Sequence, residues 1–415
     1  MEINKKNIKY GIDNHHHGLF VKEARLRQGY RLTEVAKEIC DASYLSKIES
    51  GRLFPKVEVF EKIVKKLDIR FPAGERICPI DVFTKGLYQN DLSSIETYLE
   101  QNVWHHYEIR MLDFFRCVIT DNLEKAGVLK KEIDQFEFHF NPKEEQAYLL
   151  FAGIYFLKVF EWNAGKRCLK ESFYFMEMNK EEDPYLFLQL AKYYFRIQKT
   201  FVGFIWLERA ISKFRRIFEQ KWVFECDMLW CRESIINGDG DTVEKKIEEW
   251  KSLIDPNSNH SQWNQLFNLS AILEEKKGRY KEAEAFHLKS IEGSDKKIQE
   301  MCLIDTIKFY YHRQKKDQVI KLVEQLKVSE LSIENRILID FYYLKLTDED
   351  SEYFENFLKK DAIPFAMEGL DYQNAALYTK ELTKYYRRKS SYKKVSDAYY
   401  KLEKFYDELN LADKI

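Results

Sequence analysis

Glycine and proline are scarce in this sequence, with 15 glycines and 7 prolines among 415 residues. Both residue types interrupt regular structure, so their scarcity argues against a sheet-rich fold with many tight turns and favours long helices. Hydrophobic residues make up 45% of the chain, which is enough for a large core. The length predicts two or three domains, unless the chain is a repeat array.

Cysteine motifs and long apolar runs are lacking as well. The seven cysteines are scattered and form no CxxC pair, which predicts buried thiols in a reducing compartment rather than a metal site or a disulfide framework. No apolar run approaches the roughly 18 residues of a membrane span. The N-terminus has no apolar core of a signal peptide. We therefore expect a soluble, cytoplasmic protein.

The sequence also carries no signature of catalysis. It has no Gly-rich phosphate loop, no HExxH motif and no nucleophile elbow. The adjacent residues His15, His16 and His17 lie in a polar stretch, and neighbouring side chains on a flexible strand diverge, so we predict no metal site there. A metal-dependent or hydrolytic enzyme would need a clustered site. We therefore predict no enzymatic activity, no catalytic residues, no cofactor and no metal.

Charge is distributed unevenly along the chain. Residues 1–71 hold 15 Lys and Arg against 10 Asp and Glu, a net charge of +5, whereas the rest of the chain has a net charge of −6. A basic N-terminal module on an acidic body is typical of a nucleic-acid reader joined to a domain with another task.

The N-terminal part divides into a tail and a small helical domain. Residues 1–17 are polar and without periodicity, so we predict a flexible tail. Residues 18–71 contain four stretches with helical spacing of apolar residues, each too short to be stable alone, which predicts one shared core. The predicted helices are Leu19–Gln28, Leu32–Ile39, residues 43–50 and Val57–Leu67.

The third of these helices has the character of a DNA-reading helix. Asp41 precedes it as a candidate N-cap residue. Leu45 and Ile48 are spaced to point one way, whereas Ser43 and Lys47 point elsewhere. A short helix with one buried stripe and a small, hydroxyl-bearing, basic face suits the major groove of DNA.

A fixed order of residues runs through this domain: Gly18-x-x-Val21-x-x-x-Arg25-x-x-x-Gly29, Val35-Ala36, Ser43-Tyr44-Leu45-Ser46-Lys47-Ile48-Glu49-Ser50-Gly51 and Pro55. This order resembles the phage-repressor (XRE) type of helix-turn-helix. The run Ile39-Cys40-x-x-Ser43-x-Leu45-Ser46 is similar to a subgroup found in peptide-pheromone receptors of Gram-positive bacteria, of the Rgg, NprR, PlcR and PrgX types. The alternative is a helical bundle with no role on DNA.

The resemblance implies a role for positions in and around the third helix. Arg25 is expected to pair with Glu49 and so tie the first helix to the recognition helix, which is a structural role. Because such a helix enters the major groove by its N-terminus, Ala42, Ser43 and Lys47 are expected to face base edges.

Other positions are expected to contact the DNA backbone. Tyr44, Arg52 and Lys56 would lie near phosphates, where contacts give affinity without sequence information. The family usually opens its second helix with Thr or Ser followed by Gln, and both contact the backbone. Here these positions are Arg31 and Leu32. Arg31 can reach a phosphate, but Leu32 has no polar group, so the backbone clamp is expected to be altered.

Residues 72–415 form the second predicted domain, which follows a break at Phe71-Pro72-Ala73-Gly74. Its clearest unit spans residues 264–294. There Ala271 provides a small side chain where two helices cross, and Gly278 marks the turn between them. This unit resembles a tetratricopeptide repeat.

Further breaks in the helical pattern recur mostly at intervals of 38–40 residues, slightly longer than the roughly 34 residues of that repeat. They predict about eight helical hairpins stacked as an α-solenoid, and hence an all-α protein; a packed bundle without a superhelix is the alternative. The breaks lie at Asp121-Asn122, Glu161-Trp162-Asn163, Lys199-Thr200, Gly238-Asp239-Gly240, Lys315-Lys316-Asp317, Thr347-Asp348-Glu349 and Ser390-Ser391.

A solenoid of this kind lines a concave groove with the first helix of each hairpin, and such grooves bind extended peptides. Amide side chains can bracket a peptide backbone, and arginines can meet a peptide carboxylate with two hydrogen bonds. The alternative for each residue is an ordinary solvated surface position. With Gly278 as the register mark, the inner-face positions are Gln189, Tyr193, Arg196, Arg232, Gln265, Asn268, Tyr310 and Arg313.

Together these features predict a peptide-responsive transcriptional regulator. The small domain would bind double-stranded DNA as a homodimer on a palindromic operator, and the repeat domain would bind a short signalling peptide and contribute to dimerisation. The alternative is an interaction scaffold whose repeats bind a protein partner such as a response regulator.

Overall fold

The computed structural model of the protein describes residues 17–53, 55–69, 79–89, 91–101, 107–135, 140–255, 260–293, 296–326 and 331–411. Within these ranges all regular structure is helical, which confirms the predicted fold class. The chain forms two compact units: Met1–Tyr155 with Tyr174–Asn179, and Phe156–Phe173 with Lys180–Ile415. Residues 1–16 of the predicted tail and the predicted domain boundary at residues 71 and 72 lie outside the described ranges, so both stay predictions.

The first four helices share one small core, as the spacing of their apolar residues predicts. They are α1 (His17–Arg27), α2 (Leu32–Ala36), α3 (Ala42–Glu49) and α4 (Val57–Lys66). Helices this short gain their stability from tertiary contacts rather than from helix propensity. The buried members of the core are Val21, Ala24, Val35, Ala36, Leu45, Ile48, Phe60, Ile63 and Leu67.

The ends of these helices follow from backbone conformation. Gly29 after α1 and Gly51 after α3 have φ angles of +72° and +67°, in the left-handed region that glycine adopts without steric cost. The predicted extension of the second helix to Ile39 is wrong, because α2 ends at Ala36. Glu38 has a φ of +69°, and a residue in that conformation cannot continue a right-handed helix.

The other described helices follow one another in nine consecutive pairs joined by short turns. The eighth pair has a composite second member. The pairs are α5 (Pro79–Tyr88) with α6 (Leu92–Gln101), α7 (Tyr107–Ile119) with α8 (Leu123–Ile133), α9 (Pro142–Lys158) with α10 (Trp162–Asn179), α11 (Pro184–Arg196) with α12 (Thr200–Arg216), α13 (Gln220–Asn237) with α14 (Gly240–Leu253), α15 (His260–Lys276) with α16 (Tyr280–Ser290), α17 (Lys296–His312) with α18 (Lys316–Leu326), α19 (Ile333–Thr347) with the run of α20 (Glu352–Phe357), a π-helical segment (Leu358–Ala362) and α21 (Ile363–Glu368), and α22 (Tyr372–Arg388) with α23 (Tyr392–Leu411).

Most of the turns inside the pairs share one backbone feature, a residue with positive φ just after the first helix. Among the described residues, the turn between α19 and α20 has none. A left-handed residue at this position ends a helix and lets the chain reverse direction. These residues recur at intervals of 36 to 40 positions, which is the period that the sequence shows. They are Asp121, Phe160, Gln198, Gly238, Gly278 and Gln314, and Ser390 has the same conformation in the last pair.

The predicted breaks agree with these turns, since each lies at or within two residues of a junction between helices. The predicted number of about eight hairpins is one too small. The pair α5 and α6 has helices of only ten residues each, and the junction Gln89-Asn90-Asp91 contains neither glycine nor proline. The sequence pattern therefore gives no mark for this pair.

The second unit has the neighbour-to-neighbour contacts of a solenoid. Its principal helix contacts join α11 to α12, α13 to α15, α15 to α17 and α17 to α19, which are adjacent or next but one in the chain. In a bundle, helices distant in sequence would share a common core. These contacts therefore favour the predicted helical-repeat solenoid over the bundle.

Replacement of Gly18 by alanine is expected to destabilise the N-terminal domain by about 3 kcal/mol or more. A Cβ atom on Gly18 would lie 1.8 Å from the carbonyl oxygen of Ile48, because α1 and α3 meet there backbone to backbone. Gly29→Ala is the control, since its Cβ would meet nothing within 4 Å and only the positive φ is strained, at about 1 kcal/mol. Hydrogen exchange of the α3 amides in the full chain measures both changes. Equal protection in the two variants would contradict the close approach.

Candidate nucleic-acid interface and ligand groove

Helix α3 presents two distinct faces. Leu45 and Ile48 are 0% and 1% exposed and belong to the core of the domain. Ser43 and Lys47 are exposed, and Ala42 at the start of the helix is half-buried. The three positions predicted to face base edges therefore offer a small apolar group, a hydroxyl and an ammonium to a partner.

The positions predicted to meet phosphates surround this helix in the chain. Arg31, Arg52 and Lys56 are exposed, whereas Tyr44 is half-buried and packs against the core. Asp41 occupies the N-cap position of α3, but its carboxylate makes no capping hydrogen bond. The capping role expected from its side chain is therefore wrong.

A buried ion pair joins α1 to the end of α3. Arg25 donates from Nε to Glu49 Oε1 at 2.7 Å and from Nη2 to Glu49 Oε2 at 2.8 Å, and its Nη1 donates to the Tyr30 carbonyl at 2.9 Å. Arg25 and Glu49 are only 8% and 4% exposed. Hydrogen bonding to Glu49 raises the pKa of Arg25 above its ordinary value. The pair therefore ties α1 to α3, as the resemblance implied. The Glu49 side chain is buried in this pair and does not belong to the exposed face of α3.

The start of α2 explains how the chain tolerates its departure from the family pattern. Glu34 accepts a hydrogen bond from the Arg31 amide at 2.6 Å, so the third residue of the helix satisfies a free N–H of the first turn. Leu32 is half-buried and packs against the core. Its side chain thus serves the core of the domain instead of a backbone contact on DNA.

A second charged contact in the first unit joins α1 to the pair α7 and α8. Arg110 Nη2 lies 3.2 Å from Glu23 Oε1, without hydrogen-bond alignment, and Arg110 Nε lies 3.4 Å from Glu132. Glu23 is buried, and this desolvation raises its pKa to about 7 despite the opposing charges of Arg110 and Arg27. Sequence reasoning missed this contact because it depends on a tertiary approach with no local signal.

In the second unit, the structure brings together Arg232 and Asn268 and adds Asp305. Arg232 donates from Nη1 to Asp305 Oδ2 at 2.8 Å and from Nη2 to Asn268 Oδ1 at 2.7 Å. The three residues come from α13, α15 and α17, the first helices of three successive pairs. Asn268 is 0% exposed, and its Nδ2 has no partner. A buried donor without a partner costs about 1–3 kcal/mol, and a ligand carbonyl would remove that cost.

Asp305 and its neighbour Lys308 were not predicted. Burial acts to raise the pKa of Asp305, but Arg232 and then Lys308, 3.6 Å away, outweigh it and hold the pKa below its usual range. A usable signal exists in the sequence, because Asp305 follows Asn268 by nearly the same interval at which Asn268 follows Arg232. In a repeat array, residues at equal intervals occupy equivalent places.

The other predicted groove residues do not join this network. Arg196 contacts Trp162, Glu334 and Gly369, and Arg313 stacks over the Tyr280 ring at 3.9 Å from the ring centroid. The remaining four are buried, so neither an open groove position nor a solvated surface position describes them in this structure. They are Gln189, Tyr193, Gln265 and Tyr310.

No cluster of metal-ligating side chains occurs among the residues that the structure describes. None of the helices described is long and apolar enough to cross a membrane. The described cysteines form no disulfide bond. Cys40 is half-buried, and burial raises the pKa of Cys226 and Cys231 to about 12. Five of them are buried, namely Cys117, Cys168, Cys226, Cys231 and Cys302.

Comparison with known proteins agrees with this architecture. Residues 21–72 match the family model described as helix-turn-helix. No curated protein matches the chain at a significant level.

Solved structures share the fold of the larger part. NprR in complex with its cognate peptide NprX superposes with a TM-score of 0.65 and 14% identity, covering 79% of this chain and 98% of that one. The apo form of the quorum sensor NprR from B. thuringiensis gives 0.57 and 13%, covering 79% and 96%. A Rap protein complexed with Competence and Sporulation Factor gives 0.58 and 12%, covering 80% and 96%. At such identities the likeness shows the fold, and the predicted architecture is confirmed.

The stability of the first unit is expected to fall as the pH rises from about 4.5 to about 7, because Glu23 has a raised pKa in the folded state. Between pH 4.5 and pH 7 the folded chain binds a proton that the unfolded chain releases, so this contribution is present below pH 4.5 and lost by pH 7. Glu23→Gln should remove this slope and raise the free energy of unfolding at pH 8 by up to about 3 kcal/mol. Urea unfolding at pH 5.5 and pH 8 measures it.

Glu132→Gln is the matched control, because it removes a carboxylate from the same Arg110 but from an exposed position. This variant should retain most of the pH slope. A Glu23→Gln variant with the slope of the unaltered chain would show that Glu23 is ionised in the folded state across this range.

Proposed function

We propose that this chain is a cytoplasmic transcriptional regulator that reads DNA through α3 and senses a short signalling peptide through its repeat. The observation that carries the proposal is the Arg25–Glu49 pair, which anchors α3 from behind and leaves Ser43 and Lys47 exposed on its outer face. A rigidly held helix with an exposed polar face is what a major-groove reader requires. The match of residues 21–72 to the helix-turn-helix family supports it.

The proposed contacts on DNA fall into two classes. Lys47 and Ser43 would donate to base acceptors in the major groove, and Ala42 would pack against a thymine methyl group. The contacts to phosphates would come from Arg31, Tyr44, Arg52 and Lys56. Two copies of the chain would bind a palindromic operator as a homodimer, because a two-fold protein matches a two-fold site.

The peptide would bind in the groove lined by α13, α15 and α17. Arg232 can donate two hydrogen bonds to a peptide carboxylate in place of Asp305. Lys308 adds a second positive charge close by. The unpaired Nδ2 of Asn268 is a donor for a peptide carbonyl. The fold shared with NprR, solved with its cognate peptide NprX, supports a peptide as the ligand.

This chemistry is recognition rather than catalysis. The Arg232 network consists of a guanidinium that donates to an amide oxygen and to a carboxylate, which suits exchange of one partner for a ligand group. We therefore propose a receptor without enzymatic activity or cofactor. The lack of disulfide bonds among its described cysteines fits a reducing cytoplasm.

Ser43→Ala combined with Lys47→Ala is expected to abolish discrimination between operator and shuffled DNA, since each lost base contact removes about 1–3 kcal/mol. Fluorescence anisotropy on the DNA upstream of its own gene measures the change. Arg52→Ala or Lys56→Ala should instead weaken binding to both DNAs and lower the salt slope by about one each. Lys62→Ala, an exposed lysine on α4, is the control of equal charge.

Sequence-specific affinity that survives the double substitution would overturn the assignment of α3 as the reader. A complete lack of DNA binding by the unaltered chain would favour the alternative, a scaffold whose repeats bind a protein partner.

Arg232→Ala and Asp305→Asn are expected to change peptide affinity in opposite directions. Loss of Arg232 removes the partner of the carboxylate and should weaken binding more than tenfold, as truncation of a buried charge pair costs about 2–5 kcal/mol. Asp305→Asn removes the internal competitor and should strengthen binding. Calorimetry would use the synthetic peptide encoded by a short secreted open reading frame beside the gene. A C-terminally amidated copy of that peptide is the control, and equal affinity for the two forms would contradict the proposed contact.

A further inference from the structure

Arg196 lies at the centre of a contact set that we call the clasp, formed by Arg196, Trp162, Glu334 and Gly369. Arg196 donates from Nε to the Gly369 carbonyl at 2.7 Å and from Nη1 to Glu334 at 3.1 Å. Its guanidinium carbon lies 3.9 Å from the centroid of the Trp162 ring. One side chain thus combines a charged pair, a carbonyl hydrogen bond and a cation–π contact.

Two further contacts lie beside the clasp. Gln373 donates from Nε2 to Gln198 Oε1 at 3.1 Å. The rings of Phe160 and Phe365 have centroids 4.8 Å apart. These contacts connect the same two regions of the second unit and so give independent evidence that the two regions meet.

The clasp differs from the other contacts of this unit in its range along the chain. Arg196 is 138 residues from Glu334 and 173 residues from Gly369. The principal helix contacts of the unit join near neighbours, from α11 to α12 onward through α17 and α19. Because the end of α11 also touches the start of α19 and the end of α21, the helices from α11 to α21 form a closed ring of contacts, and α22 and α23 follow it in the chain. The clasp is therefore the point at which the repeat of the second unit closes on itself.

The clasp is polar and partly open to solvent, since the side chains of Arg196 and Glu334 are 20% and 34% exposed. Pairs at this exposure contribute about 0–1 kcal/mol. A solenoid is stabilised by contacts between successive repeats, and opening the clasp leaves those contacts in place. The ring can therefore open without unfolding of its helices.

The helical run that ends before Gly369 contains an irregular segment. Between α20 and α21 the π-helical segment Leu358–Ala362 adds backbone to the turn, and one additional residue rotates the following helix by about 100°. This rotation sets the direction in which Phe365 and the Gly369 carbonyl point. Gly369 also has little free space, because a Cβ atom there would lie 3.1 Å from Arg196 Nη2.

We propose that the clasp is a reversible gate, held by Arg196, through which the repeat of the second unit changes between a closed ring and an open arc. The helices α13, α15 and α17, which carry the Arg232 network, lie in the chain between the two regions that the clasp joins. This assigns Arg196 to ring closure instead of the ligand contact predicted from sequence. The inference rests on contacts within the second unit and stands or falls independently of the peptide proposed above.

The test measures the distance across the clasp in the full chain. Keto-bearing side chains introduced at the exposed positions Phe201 and Glu368 take nitroxide labels without use of the native cysteines. Double electron–electron resonance on the otherwise unaltered chain should give one narrow distance peak. Arg196→Ala should remove most of that peak and replace it with a broad distribution at longer distances. Glu334→Gln should give an intermediate result, since the Gly369 and Trp162 contacts remain.

Arg313→Ala is the matched control. Arg313 stacks over Tyr280 at the same 3.9 Å but joins only neighbouring pairs of the repeat, so the narrow peak should persist. Far-UV circular dichroism verifies that each variant is folded, and Glu334→Gln decides the matter if Arg196→Ala unfolds. A narrow peak that survives loss of Arg196, or an equal broadening in Arg313→Ala, would overturn the gate.

Discussion

A pair of short helices cannot bury both of its faces by itself, and most of this chain is organised by that constraint. Successive pairs in the second unit pack against one another, as α15 does against α13 and α17. Most of the turns that make a pair contain a residue in the left-handed conformation. The period of 36 to 40 residues is the spacing of the turn residues with positive φ.

The same constraint explains which parts of the fold could be predicted from sequence. The turns at Gly238 and Gly278 are recognisable from the sequence, because glycine adopts positive φ without strain. Phe160 and Gln198 adopt the same conformation with no such mark, and their turns were found only from the loss of helical spacing. The pair α5 and α6 shows neither signal. Local chemistry thus predicts a turn where the residue type is suited to it, and tertiary contacts impose the turn elsewhere.

The N-terminal domain was the more predictable part because its function leaves several residues no alternative. Gly18 admits no side chain beside the Ile48 carbonyl. Arg25 and Glu49 each require the other, since either charge alone would be buried without a partner. These requirements act over a short stretch and appear in the sequence as a spaced motif. The Glu23–Arg110 contact has the same chemistry but joins α1 to a helix of the repeat, and no local spacing reveals it.

The residues that line the proposed ligand groove are harder to predict, because the exposure of each side chain depends on the rotation of its helix about its axis. The register taken from Gly278 assigns Gln189 and Tyr310 to an open inner face, yet both are buried. Arg232 and Arg196 belonged to the same predicted set, but they bond to different kinds of partner. The partners of Arg232 lie on neighbouring helices of the repeat, whereas those of Arg196 are distant in the chain. Arg232 bonds to the helices that follow it in the array, so it reports the angles between adjacent pairs.

Arg196 bonds across the ring, and a ring closes only when the rotations of all the intervening pairs sum to a closed path. A ligand group that displaces Asp305 from Arg232 would change one of those rotations. The clasp would then carry the resulting strain, although it lies on other helices. In a closed repeat, a local exchange of hydrogen bonds therefore acts on a contact that is far away in the sequence.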